Sequence, residues 1–183
     1  MSWNGGVKME KRITTKKLAV AGMLSALSVV LSVTPFLGYI PLPFFAGLSA
    51  TTMHIPVIIA AIIAGPEIGV FVGLIFGITS FVRATPAFMG DPLVSILPRL
   101  FIGLTTYWTF RLTKSTIAAA VIGTATNTVG VLTMIYLLGY LPLSVVLGVA
   151  SVNGTAEVIV SAIIVYTVVR LIKKAKGDNI INR

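Results

Sequence analysis

The chain has 183 residues, of which 56% are hydrophobic and 10% are charged, and its formal net charge is +9. A soluble domain carries about 25% charged residues, and so few charges could not cover a water-exposed surface of this size. The composition therefore excludes a cytoplasmic enzyme domain, an ordinary nucleic-acid binder and a disordered chain. The absence of cysteine from the sequence excludes disulfides, thiolate zinc sites and cysteine nucleophiles. The mean hydropathy of +1.01 predicts an integral membrane protein instead.

Six apolar runs follow one another along the chain, and a membrane span needs about 20 mostly apolar residues. We therefore predict an all-α integral membrane protein with six transmembrane helices in a single domain, residues 1–183. The second and third runs are short for spans, so that part could instead form a hairpin packed inside the protein. The runs cover residues 18–34, 53–64, 68–82, 93–111, 116–138 and 143–172.

The segment between the first two runs, residues 35–47, contains three prolines and four aromatic residues. Proline prevents a continuous helix, and the segment is too apolar to extend into water. We expect a structured outer loop that lies on the protein. Residues 83–92 are rich in turn-forming residues and should form a second outer loop.

The basic residues predict the orientation. With six spans, twelve of the fourteen lysines and arginines lie on one side, and the positive-inside rule assigns that side to the cytoplasm. Both termini should therefore be cytoplasmic. The twelve residues are Lys8, Lys11, Arg12, Lys16, Lys17, Arg111, Lys114, Arg170, Lys173, Lys174, Lys176 and Arg183.

Four polar residues fall inside the predicted spans at overlapping depths. Arg99 lies roughly 10 Å below the outer surface at 1.5 Å per residue, where an arginine costs about 2.5–3.5 kcal/mol unless it has partners or water. Glu157 lies ~20 Å deep by the same rise, with Asn153 one helical turn before it, and Asn127 is near the middle of the fifth span. One interpretation is an Arg99–Glu157 ion pair that joins two helices. The other is a ligand cavity in which Arg99 binds an anionic group, and the two can coexist.

Two further residues are candidates near the outer surface. Arg83 either belongs to a solvated charge pair with Asp91 or steers anions toward the cavity. His54 follows two threonines near the outer end of the second span, where it is either a structural, hydrogen-bonded histidine or a ligand contact.

Small residues spaced four apart allow helices to approach closely in lipid. In the third span this pattern predicts internal packing, through Gly65, Gly69, Gly73 and Gly77. In the first span, internal packing and contact with a partner helix are both open. The residues concerned are Ala21, Gly22, Ser25 and Ala26.

The sequence shows no P-loop, no metal-ligand cluster and no nucleophile–base pair. We therefore expect neither an enzyme nor a cofactor, and any transport driven by ATP would need another subunit. Glu157 leaves a stand-alone ion-coupled carrier as an alternative, although so few intramembrane acids disfavour a proton relay. A scaffold without a ligand is a further alternative.

The whole layout resembles the substrate-binding S components of energy-coupling factor (ECF) vitamin transporters, and it is most similar to the pantothenate-specific branch. The matching segments are residues 21–26, Ala-Gly-Met-Leu-Ser-Ala; the aromatic loop 35–47; residues 50–66 and 73–80; and residues 98–103, Pro-Arg-Leu-Phe-Ile-Gly.

The resemblance implies a multi-pass protein of the bacterial cell membrane that captures a vitamin and works with two ABC-type ATPases and a transmembrane coupling subunit. It also implies that small residues of the first helix contact the coupling subunit, and that the first outer loop and helices four to six hold the ligand. Arg99 would bind the carboxylate of pantothenate, and Phe44 and Phe45 would cover it. Pyridoxine and a hydroxymethylpyrimidine are the alternative vitamins.

Overall fold

A computed structural model describes residues 14–34, 38–41, 49–175 and 177. Phe44 and Phe45 lie outside the described residues. The helices are α1 (Thr15–Val33), α2 (Ile55–Ala64), α3 (Pro66–Arg83), α4 (Pro92–Ser95), α5 (Leu97–Thr113), α6 (Thr116–Leu137) and α7 (Leu143–Ala175), with a 3-10 turn at Ala87–Gly90 and two short strands, β1 (Tyr39–Pro41) and β2 (Ser49–Thr51).

The helices agree with the six predicted runs, because α4 and α5 together form the fourth. Among the described residues, five helical stretches are long and apolar enough to cross a membrane. The exception is α2, whose ten residues rise roughly 15 Å, about half of a 30 Å hydrocarbon core. It lies at the centre of the bundle against α1, α3, α5, α6 and α7, and Val57, Ile58 and Ala60 are fully buried. The interpretation of internal packing therefore holds for α2.

The all-α description needs one addition, because the loop between α1 and α2 contains a two-stranded antiparallel ribbon. Tyr39 is opposite Thr51 and Pro41 is opposite Ser49. Proline disfavours a helix in this loop, and backbone amides and carbonyls outside a helix need other hydrogen-bond partners. Strand pairing supplies those partners within the loop itself.

Glycines allow α3 and α5 to approach closely. A Cβ atom built on Gly73 would lie 2.4 Å from the carbonyl oxygen of Arg99, and one on Gly103 would lie 2.5 Å from the carbonyl carbon of Gly69. Only hydrogen fits at such contacts, as small-residue faces in membrane proteins require. The internal packing predicted for the third span is confirmed at Gly69, Gly73 and Gly77.

The four small residues of α1 face in two directions. Ala21 and Ser25 are buried in the bundle, with 2% and 8% of their surface exposed. Gly22 and Ala26 are exposed, and a Cβ on Gly22 would have no atom of the described chain within 4 Å. One pair thus packs inside the chain, and the other lies on its outer surface.

Candidate functional site

A cavity of about 420 Å³ lies at the end of the bundle that carries the loops after α3 and α6. Its wall is formed by the end of β2, by α3 and the segment after it, and by α5, α6 and α7. The lining residues used below are Thr51, Phe76, Arg83, Met89, Arg99, Asn127, Thr128, Asn153 and Glu157.

Arg99 is held in this wall with only 4% of its surface exposed. Its guanidinium carbon lies 5.4 Å from the centre of the Phe76 ring, within the range of a cation–π contact. One terminal nitrogen donates to the carbonyl of Val94, and the other lies 3.6 Å from the Met89 sulfur. These contacts orient a cation toward the cavity.

A proline explains why the Val94 carbonyl is available to Arg99. In a continuous helix this carbonyl would accept from the backbone N–H of residue 98, but that residue is proline and has no N–H. The helix is interrupted accordingly at Ile96, between α4 and α5. Asp91 caps the start of α4 by accepting a 2.8 Å hydrogen bond from the Leu93 amide. The Pro98-Arg99 pair thus both breaks the helix and supplies the side chain that satisfies the break.

Glu157, with 5% of its surface exposed, accepts three hydrogen bonds. Its Oε1 accepts from the Thr51 amide at 2.8 Å and from the Thr51 hydroxyl at 2.6 Å. Its Oε2 accepts from the Thr128 hydroxyl at 2.7 Å. Within the described part of the chain, its hydrogen-bond donors are therefore threonine groups rather than the guanidinium of Arg99.

The two asparagines lie on neighbouring helices of the same wall. Asn127 of α6 is 5% exposed, and its side-chain oxygen has no hydrogen-bond partner among the described residues. Asn153 lies one turn before Glu157 on α7, and Arg83, the last residue of α3, lines the exposed rim. The structure thus brings Arg83, Arg99, both asparagines and Glu157 to one cavity.

His54 is not among the residues that line this cavity. Its ring is fully buried, and its Nε2 lies 3.0 Å from the hydroxyl of Thr124. Thr124 in turn donates to Ser161 at 2.8 Å. The contacts are those of a structural histidine that joins the start of α2 to α6 and α7, and a ligand contact stays a prediction.

Sequence reasoning did not single out Thr51, Thr128, Phe76 and Met89. Thr128 could have been found, because it follows Asn127 and lies four residues after Thr124, which places two threonines on one face of a predicted span. Phe76 and Met89 carry no such signal. An aromatic or a methionine in an apolar chain is ordinary packing until the fold places it beside a guanidinium.

The charged side chains among the cavity's described lining residues are two guanidiniums, Arg83 and Arg99, and one carboxylate, Glu157. The lining therefore has an excess of one positive charge. Among the described residues, no group of three or more His, Asp or Glu side chains could hold a metal ion. The groups present can form hydrogen bonds and ion pairs with a small organic anion.

A bundle of apolar helices around a partly polar cavity that is open at one end is typical of a multi-pass membrane protein with room for a small solute. Comparison with known families identifies the class of membrane protein more closely. Residues 16–169 match the family model described as "ECF transporter, substrate-specific component", and the chain belongs to this family. It is therefore a component of a transporter and not an enzyme.

Two curated relatives are similar to this chain. The pantothenic acid transporter PanT of Lactococcus lactis subsp. cremoris is 32% identical over 157 residues, which cover 70% of this chain and 80% of that protein. The pantothenate transporter PanT of Leuconostoc mesenteroides is 33% identical over 98 residues, which cover 49% of this chain and 48% of that protein.

A solved structure, described as the S component of a bacterial ECF transporter, shares the fold with a TM-score of 0.63 and 25% sequence identity. The match covers 87% of this chain and 96% of that one. Together with the family match, it confirms the resemblance to S components that the sequence indicated.

Proposed function

We propose that the chain captures pantothenate in the cavity around Arg99 and delivers it as the substrate-specific subunit of an ECF importer. The observation that carries this proposal is the buried guanidinium of Arg99, which Phe76 and the Val94 carbonyl orient within the cavity wall. An arginine fork in a water-poor site binds carboxylates with both charge and direction. The names of the two curated relatives favour pantothenate among the carboxylate-bearing vitamins.

The contacts of Arg99 leave a role for a ligand carboxylate. Its second terminal nitrogen faces the sulfur of Met89, and a thioether is a weak hydrogen-bond acceptor. A carboxylate oxygen at the same nitrogen would form a charge-assisted bond, which is about twice as strong as a neutral one. We therefore expect the ligand carboxylate to displace the Met89 sulfur.

The rest of pantothenate is neutral and carries one amide and two hydroxyl groups. The side-chain oxygen of Asn127, buried in the wall of the cavity, suits a donor such as the amide N–H or a hydroxyl. A monoanion would also balance the single excess positive charge of the lining. A neutral vitamin such as pyridoxine or a hydroxymethylpyrimidine would leave that charge uncompensated.

A ligand panel tests the proposed function. The purified chain is heated with pantothenate, pyridoxine or a hydroxymethylpyrimidine, and the melting temperature is compared with that of the ligand-free protein. A ligand that binds the folded state raises the melting temperature, and the rise grows with the logarithm of the ratio of its concentration to Kd. We expect a rise with pantothenate alone. A rise with either neutral vitamin and none with pantothenate would contradict the proposal.

The orientation and the partners belong to the same proposal. The excess of lysine and arginine predicts that both termini face the cytoplasm, so that the cavity opens outward. Two ABC-type ATPases and a coupling subunit would then provide the energy, because the chain has no nucleotide-binding motif. Gly22 and Ala26 support a partner contact on α1, since both are exposed. Ala21 and Ser25 face the interior, so they would not touch the partner and would affect the contact only through the packing of α1.

Replacing Gly22 with isoleucine should abolish ATP-driven uptake while pantothenate binding persists. In the isolated chain the new side chain points into open space, so the variant does not strain the bundle. In the complex, the isoleucine would push α1 away from the helix of the coupling subunit that packs against it. The measurement is radiolabelled pantothenate uptake into proteoliposomes that hold the whole complex, beside binding to the isolated chain.

Gly148→Ile is the matched control, because Gly148 of α7 is also exposed and has open space around it. Unchanged uptake with Gly22→Ile would remove the contact from this face. Concentrative uptake by the chain alone would instead favour the ion-coupled carrier.

A further inference from the structure

The carboxylate of Glu157 joins three separate parts of the fold. Glu157 itself lies on α7, Thr51 is the last residue of β2, and Thr128 lies on α6. Each carboxylate oxygen accepts at least one hydrogen bond, Oε1 from Thr51 and Oε2 from Thr128. The carboxylate is thus shared between the ribbon and the helix bundle.

The bond to the Thr51 amide fixes the main chain of β2 and not merely a side chain. The next amide, that of Thr52, donates to the carbonyl of Gly38 at 3.0 Å, so successive amides point to the bundle and to the loop. One residue further, the carbonyl of Met53 accepts from the Ser28 hydroxyl of α1 at 3.1 Å. Glu157 of α7 and Ser28 of α1 therefore attach residues 51–53, at the end of the ribbon, to two different helices of the bundle.

We propose that Glu157 is a positioning residue that sets the wall of the cavity by holding Thr51 and Thr128, and that it does not itself bind the ligand. This inference rests on the proposed function, and it replaces the direct ligand contact predicted from sequence with an indirect role. Both threonines line the cavity together with Glu157. Releasing β2 would therefore change the shape of the wall without removing a ligand contact.

The geometry favours positioning over ligand contact for two reasons. The hydroxyl bonds of Thr51 and Thr128 to the carboxylate measure 2.6 and 2.7 Å, lengths typical of strong bonds to a charged acceptor. A ligand hydroxyl would have to compete with donors that the protein already holds in place. An anionic ligand group, for its part, would be repelled by the carboxylate.

A second polar contact, one turn away, joins α6 to α7 independently of Glu157. Thr124 lies four residues before Thr128 and bonds Ser161, which lies four residues after Glu157, at 2.8 Å. Residues four apart on a helix share a face, so the two contacts join the same faces of α6 and α7 one helical turn apart. Changing Glu157 leaves the Thr124–Ser161 hydrogen bond intact, so α6 and α7 should stay together while β2 loses its attachment to α7.

The test compares Glu157→Ala, Thr51→Val and the double variant, with pantothenate dissociation constants measured by calorimetry on the purified chain. We expect Glu157→Ala to weaken binding by about tenfold, or ~1.4 kcal/mol, and Thr51→Val, which keeps its amide bond to Glu157, to weaken binding by less. The double variant should be no weaker than Glu157→Ala, because that change already removes the acceptor of the Thr51 hydroxyl. Thr51→Ser, which keeps the hydroxyl, should restore binding.

Thr126→Val is the matched control on α6. Its hydroxyl lies 2.9 Å from that of Thr105 and also donates to the carbonyl of Ile122, away from the cavity lining. It should leave the dissociation constant unchanged. Additive losses in the double variant, or no loss with Glu157→Ala, would each overturn the proposal.

Hydrogen exchange of the ligand-free chain separates this proposal from that of pantothenate binding. The amide of Thr51 should exchange faster in Glu157→Ala than in the wild type or in Thr126→Val, because its acceptor is gone. This result needs no ligand. Failure of the wild type to bind pantothenate would contradict the proposed function only, whereas unchanged exchange in Glu157→Ala would overturn the positioning role.

Discussion

Replacing Arg99 with alanine should weaken pantothenate binding by at least about 30-fold. Removing one partner of a buried charged pair costs about 2–5 kcal/mol, which corresponds to a loss in affinity between about 30-fold and several thousandfold. The ligand carboxylate would enter a cavity of low polarity without its counter-charge. The affinity of Arg99→Lys for pantothenate should lie between those of the wild type and Arg99→Ala, because lysine keeps the charge but lacks the planar fork. Calorimetric titration of each purified variant measures the effect.

The control for Arg99 is Arg111→Ala on the same helix. Arg111 is exposed in the last turn of α5, roughly 18 Å along the axis from Arg99 at 1.5 Å per residue. The Arg111→Ala variant should bind pantothenate with the same affinity as the wild type. Because Arg99 also satisfies the Val94 carbonyl, the melting temperature of ligand-free Arg99→Ala must be measured too. A folded Arg99→Ala protein that binds normally would refute the assigned site.

The second large effect is expected at Gly73, where alanine should destabilise the fold and weaken binding together. Its Cβ would lie 2.4 Å from the carbonyl oxygen of Arg99 and 3.2 Å from its carbonyl carbon. The obstacle is backbone, so α3 and α5 would have to separate. Overpacking of this kind costs about 1–3 kcal/mol, and the separation would also move Phe76 away from the guanidinium. Thermal unfolding and calorimetry measure the two effects.

Gly148→Ala is the matched control for Gly73→Ala. It replaces glycine by alanine within a helix, where nothing described lies within 4 Å of the new Cβ, so intrinsic helix propensity should make it neutral or slightly stabilising. A Gly73→Ala protein as stable as Gly148→Ala would show that the close approach of α3 and α5 does not matter.

The membrane helices follow from local properties of the sequence. A run of apolar residues must avoid water wherever it lies in the chain, and its backbone must form internal hydrogen bonds in lipid. The runs at residues 116–138 and 143–172 therefore agree closely with α6 and α7. The same reasoning marked Arg99, because a cation inside a span needs a partner or water, and the fold places it in the cavity wall. The cytoplasmic position of the termini stays a prediction.

Other features could not be predicted, because they depend on distances between remote segments. The ribbon needed the pairing of Tyr39 with Thr51, which no local pattern indicates. His54 was a possible ligand contact, but its described hydrogen bond is to Thr124, and neither residue is among those that line the cavity. Glu157 was assigned to the ligand or to Arg99, yet its donors come from residues 106 and 29 positions away in the chain.

By itself, the sequence determined that this is a membrane protein, how many apolar helices it has and that a few polar groups must be buried among them. These properties depend on the transfer of each segment out of water, which is a sum over neighbouring residues. Only the tertiary structure decided which polar groups meet. That outcome depends on helix separations of a few ångströms, such as the close contact at Gly73, and on the helix break at Ile96, which leaves the Val94 carbonyl to Arg99.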